Sequence, residues 1–66
     1  MNIIVNGEEK SFEDSTTLLS IIKELKIEDK VMAAAVNMDI VKKVNWDRYT
    51  PQEADKLELL QFVGGG

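Results

Sequence analysis

The chain opens on an alternating pattern. Met1, Ile3 and Val5 fall on one face of an extended segment, and Asn2, Ile4 and Asn6 fall on the other. That two-residue period predicts a β-strand over residues 1–5. Asn6-Gly7 follows, a pair that tolerates positive φ at both positions and so predicts a tight hairpin turn. A second short strand is expected around Lys10 to Glu13. Asp14-Ser15-Thr16-Thr17 is rich in helix-capping residues, with no capping box to single one out. Leu18, Ile21, Ile22 and Leu25 then recur at i, i+3, i+4 and i+7. They place one apolar stripe along a helix from about Thr17 to Lys26, with Lys23 and Lys26 near the end where cations suit the helix dipole.

The second half reads as strands again. Val31 to Asn37 is apolar and alanine-rich; seven residues favour a strand over a helix, and small side chains there would let the helix pack close to the sheet. Asn37-Met38-Asp39 predicts a turn into a short strand, Ile40 to Lys43. Asn45 to Tyr49 is expected to form one irregular helical turn, with Thr50-Pro51 disfavouring helix beyond it. In Lys56 to Val63, Leu57 and Leu59 share one face, and Glu58, Leu60 and Phe62 share the other. No hairpin can join the first strand to the last, so a parallel pairing side by side is expected, with the helix across one face. The fold class is therefore α+β: a mixed sheet of four to five strands and one main helix in two layers.

Composition narrows the function. Sixty-six residues make one domain, with 44% hydrophobic and 30% charged residues, the balance of a folded soluble protein. No apolar run is long enough for a membrane span, and the N-terminus lacks the basic region and cleavage site of a signal peptide. A cytoplasmic location is the expectation. There is no Cys and no His. That removes disulfides, persulfides and thiolate nucleophiles, as well as the side chain most used for acid–base work and metal binding. The net charge of −4 disfavours nucleic acid and suits encounter with a basic protein face. Glu8, Glu9, Glu13 and Asp14 have no calcium-loop or dyad spacing and read as solvated charges; Lys42-Lys43 reads as an edge-strand feature. Trp46 and Tyr49 are expected to fill a secondary core.

The chain ends Gly64-Gly65-Gly66. By itself such a tail is also what an unstructured chain end looks like. Combined with the Met-x-Ile-x-Val-Asn-Gly start, Thr17-Leu18 and Leu25 bounding the helix, Ala35-Val36-Asn37 with Ile40-Val41 and Trp46, and Asp55-x-Leu57-x-Leu59 before the glycines, the sequence resembles the ThiS family. These are the ubiquitin-like β-grasp sulfur carriers of thiamine biosynthesis. The resemblance implies a β-grasp domain over residues 1–63 and a flexible tail over 64–66. It implies a carrier with no catalytic residues, no bound cofactor and no metal. The Gly66 carboxylate would be adenylated by a partner of ubiquitin-activating type that uses ATP. A sulfur donor such as a cysteine desulfurase would then leave a thiocarboxylate, and its sulfur would pass to thiazole synthase. Neither a membrane nor nucleic acid is expected as a partner. The small sulfur-carrying subunit of molybdopterin synthase and a ubiquitin-like protein modifier share the tail chemistry, and a passive protein-binding module is the alternative of another class.

The residue types suit that chemistry. A carboxylate needs a good leaving group before sulfur attacks it, and it must enter another enzyme's nucleotide site to receive one. Glycines without Cβ can thread a narrow channel, and residues 64–66 extended reach about 10 Å beyond Val63. Ile4, Leu60 and Phe62 are expected to form an exposed apolar patch below the tail that docks the adenylating enzyme. Two departures stand out. Many family members carry Gly before the Asp that precedes the last strand, where this chain has Ala54, strained if the turn needs positive φ. The Met38-Asp39 turn also lacks Gly.

Overall fold

In the computed structural model, which describes residues 1–62, the elements follow the expected order. They are β1 (Asn2–Val5), β2 (Glu8–Ser11), α1 (Leu18–Glu24), β3 (Val31–Val36), β4 (Asp39–Val41), a 3-10 turn at Lys43–Asn45, and β5 (Lys56–Gln61). The five strands form one sheet in the order β2-β1-β5-β3-β4. β1 and β5 pair parallel, while β5 with β3, β3 with β4 and β1 with β2 pair antiparallel. The last strand in sequence is thus the central strand in space.

Turn chemistry sets the first hairpin. Asn6 and Gly7 have φ of 48° and 86°, so two residues reverse the chain and Val5 pairs directly with Glu8. This corrects the expected start of β2: a turn so tight brings the chain back at Glu8, not Lys10. The same device shapes the other hairpin. Asn37 and Met38 have φ of 50° and 73°, and β4 begins at Asp39, one residue earlier than expected.

Thr17 is the helix N-cap, its Oγ1 accepting the Ser20 N–H at 3.2 Å. Two further N–H groups of the first turn are satisfied from outside the helix. Leu18 donates to the Tyr49 carbonyl at 2.7 Å and Leu19 to the Trp46 carbonyl at 2.9 Å. The segment 46–49 therefore completes the helix start that a side-chain cap alone leaves open. The helix stops before the expected Lys26, which has φ of 61° and turns the chain out of the helix. Lys23, not Lys26, is the cation of its last turn.

The core lies between α1 and one sheet face. Leu18, Ile21 and Ile22 of the helix meet Ile3, Val5, Ala34, Val36, Leu57 and Leu59 of the strands. Trp46 is buried at the end of the 3-10 turn, its Nε1 donating to the Val41 carbonyl at 2.9 Å, with Tyr49 packed at the edge of the same core. The irregular turn begins at Lys43, two residues earlier than expected. Ala34 alone of the three alanines faces the core; Ala33 and Ala35 lie on the opposite face. A register shift between Val31 and Ala33 produces this, leaving Met32 exposed. The expectation that the alanine run serves helix packing holds for one residue of the three.

Candidate functional site

β5 leads to the C-terminal end of the chain, so what holds β5 governs how that end is presented. Asn6 follows β1, and Asn37 follows β3, the two strands that flank β5. Each asparagine extends its strand's pairing with side-chain atoms. Asn6 donates its backbone N–H to the Leu57 carbonyl at 2.9 Å, and its Oδ1 accepts the Leu59 N–H at 2.8 Å. Its Nδ2 donates to the Leu59 carbonyl at 3.3 Å. On the other side Asn37 donates its backbone N–H to the Lys56 carbonyl at 2.8 Å, while its Oδ1 accepts the Lys56 N–H at 3.0 Å. The carboxamides stand in for backbone partners past the point where each flanking strand turns away. At the far end, the Phe62 N–H donates to the Lys30 carbonyl at 2.6 Å, which fixes where the chain leaves the sheet. Asn6 and Asn37 read in the sequence as turn residues and as parts of the family motifs, with no part in holding β5. Their position directly after a strand was the available signal for this second role.

The sheet face away from α1 is partly apolar. Leu60 there and Phe62 just past β5 are each 60% exposed. Ala33 pairs opposite Leu60, and Ala35 lies between Ile40 and Glu58. The two alanines floor a shallow groove, with Leu60 on one side and Met38 and Ile40 on the other. Met38 is 87% and Ile40 70% exposed. Glu58 is the one charged side chain lining the groove. Met38, Ile40 and the alanines are absent from the patch read from the sequence, because opposing faces across β3 depend on the register shift at its start.

The expected patch is divided. Leu60 on β5 and Phe62, the residue just past its end, are two positions apart and both exposed. Ile4 is half-buried and pairs beside Lys56, four residues before Leu60 and six before Phe62. At a rise of about 3.3 Å per residue that is about 13 Å and 20 Å along the strand. Ile4 therefore shares the face of Leu60 without joining the pair. Gly64, Gly65 and Gly66 lie outside the described residues.

Among the described residues no group of three His, Cys, Asp or Glu is placed to hold a metal ion, and no helix is long and apolar enough to cross a membrane. Among the described residues one titratable group departs from its ordinary range: burial, then the charges of Asp55 and Asp39, push the Tyr49 hydroxyl up. Tyr49 lies under the irregular segment, on the core side of the sheet, and its displaced titration belongs to the packing there.

The ThiS family model matches residues 3–66, nearly the whole chain and all three terminal glycines. The chain belongs to the ThiS family.

The fold agrees. The crystal structure of the thiamine biosynthesis protein ThiS from Geobacter metallireducens superposes with a TM-score of 0.81 at 27% identity, each chain covered in full. A solution structure of a thiamine biosynthesis protein from the same organism gives 0.76 at 25% identity, over all of this chain and 88% of that one. The mixed sheet with one helix is thus the ubiquitin-like β-grasp fold of the ThiS structures. Two relatives are named thiazole synthase. That of Paramagnetospirillum magneticum is 35% identical over 66 residues, and that of Magnetococcus marinus 32% identical over the same length. The chain is matched in full, yet it spans only 20% of each of these longer proteins.

Proposed function

We propose that this chain carries sulfur to thiazole formation on the carboxylate of Gly66. The carboxylate attacks the α-phosphorus of ATP within an adenylating partner of ubiquitin-activating type, and pyrophosphate leaves. The terminal sulfur of a donor persulfide, such as that of a cysteine desulfurase, then attacks the acyl carbon and AMP leaves; a thiol reductant cleaves the S–S bond of the resulting acyl disulfide, and the donor thiol is released. The resulting thiocarboxylate passes its sulfur to thiazole synthase. In this reading the partner enzymes, which are expected in the cytoplasm, make and break the bonds, and the carrier supplies reach and a recognisable surface. Gly64 and Gly65 keep the thread thin, and Leu60 and Phe62 dock the folded part at the channel mouth, joined by the groove beside them.

The observation that carries the proposal is the family match running through Gly66. The similarity of the whole chain to one fifth of two thiazole synthases supports a functional tie between the carrier and that enzyme. The deciding measurement is intact mass after incubation with the adenylating enzyme, ATP and a sulfur source. One terminal oxygen should be replaced by sulfur, and removal of Gly66 should abolish the change. A truncated chain that acquires sulfur as well as the parent overturns the assignment.

A further inference from the structure

Asn6-Gly7 carries a chemistry beyond its turn geometry. Asparagine is among the thermolabile residues, and a following glycine places no Cβ in the way of ring closure. The Gly7 backbone nitrogen loses its proton and attacks Asn6 Cγ. The N–Cγ bond forms, the Cγ–Nδ2 bond breaks, and ammonia leaves with a proton. Water then opens the resulting succinimide at either carbonyl, giving aspartate or isoaspartate. No oxidant or reductant is needed.

In the folded chain that carboxamide is already engaged. Oδ1 accepts the Leu59 N–H at 2.8 Å and Nδ2 donates to the Leu59 carbonyl at 3.3 Å, so both of its polar atoms are held toward the central strand. Gly7 itself sits in open space: a Cβ built on it would meet nothing within 4 Å. Access to the turn is unobstructed, and orientation of the carboxamide is what restrains the reaction.

We propose that Asn6 is a deamidation site gated by its contact with Leu59, closed while β5 is paired and open when that pairing is lost. The modification reinforces the opening that permits it. An ionised aspartate accepts the Leu59 N–H but has no proton for the Leu59 carbonyl. Isoaspartate adds a main-chain carbon to a two-residue turn whose register has no slack. β5 is the strand that Phe62 directly follows in the sequence. A chain that has spent time open is thereby marked at residue 6 and left with a weaker hold on that strand. The inference does not depend on the sulfur-carrier proposal.

The full chain is incubated at mildly alkaline pH, natively and in urea, and Asn, Asp and isoaspartate at position 6 are counted by peptide mass spectrometry. Conversion, seen as a gain of about one dalton, is expected at least about tenfold faster in urea, since the gate opens only with local or global unfolding. Equal rates in the two conditions overturn the gate. Thr17→Ala, which weakens the helix cap far from the turn, should raise the native rate in proportion to the added opening; an unchanged rate also overturns it. For the product, Asn6→Asp should speed amide exchange at Leu59 relative to the parent at neutral pH, and that excess over the parent at the same pH should shrink once acid restores a proton to the carboxyl group. Exchange at the parent rate across that range overturns the self-reinforcing step.

Discussion

Asn37 donates from Nδ2 to Asp55 Oδ1 at 2.9 Å, across the turn where β3 gives way to β4 and beside the entry to β5. Asp55 Oδ2 accepts the Gln52 N–H at 2.7 Å, and Asn37 Oδ1 accepts the Lys56 N–H at 3.0 Å. The pair thus ties the loop before β5 to the strand beside it. Asn37→Ala should cost about 1–2 kcal/mol in chemical denaturation. A double-mutant cycle with Asp55→Ala should show a coupling of about 0.5 kcal/mol or more. Strictly additive losses would show that the two residues act separately.

Ala54 has φ of 69°, in the left-handed region where a Cβ is disfavoured. Its N–H donates to the Asn2 carbonyl at 2.7 Å, so the loop is held in that conformation by β1. Ala54→Gly should therefore stabilise the chain by about 1 kcal/mol, less whatever the added freedom of the unfolded chain takes back. A thermal melt reads this as a rise of several degrees for a domain of this size. A lower melting temperature would mean that the backbone is not strained at this position.

Under the proposed function, docking of an adenylating enzyme should separate Leu60 and Phe62 from Ile4. Leu60→Ser with Phe62→Ser removes exposed side chains and should leave stability nearly unchanged. It should raise the KM for adenylation by about five- to tenfold, the loss expected on truncating interface anchors. Ile4→Thr, at the other end of the face, should leave that KM unchanged. A normal KM for the double variant would remove Leu60 and Phe62 from the docking surface.

Tyr49 supplies a pH prediction. Its hydroxyl titrates above the ordinary value because burial and then Asp55 and Asp39 disfavour the phenolate. The folded chain therefore holds this proton more tightly than the unfolded chain does. The associated stability is fully present below about pH 10, where a free tyrosine ionises, and is lost as pH rises through the folded value. Ultraviolet titration should place phenolate formation above that of the urea-unfolded chain. Tyr49→Phe should flatten the alkaline fall in stability. Coincident titrations of folded and unfolded chains would contradict this.

Local pattern alone was enough for the order of elements, the apolar stripe of α1, the shared face of Leu57 and Leu59, and the turn at Asn6-Gly7. Each depends on a period or a backbone preference that a few neighbouring residues express. The motifs of the ThiS family were equally legible, since they are matters of residue identity. Tertiary structure decided what lies across from what. The start of α1 is completed by carbonyls of Trp46 and Tyr49, more than 25 residues away in sequence. Ala33 and Ala35 face outward because of a register shift that no local period announces. Ile4 stands apart from Leu60 because strand register, not face alone, sets distance. Asn6 and Asn37 hold β5 because that strand, last in sequence, runs between theirs. The physical reason is common to all four: pairing partners distant along the chain are selected by burial of the whole core, and no single segment contains that information.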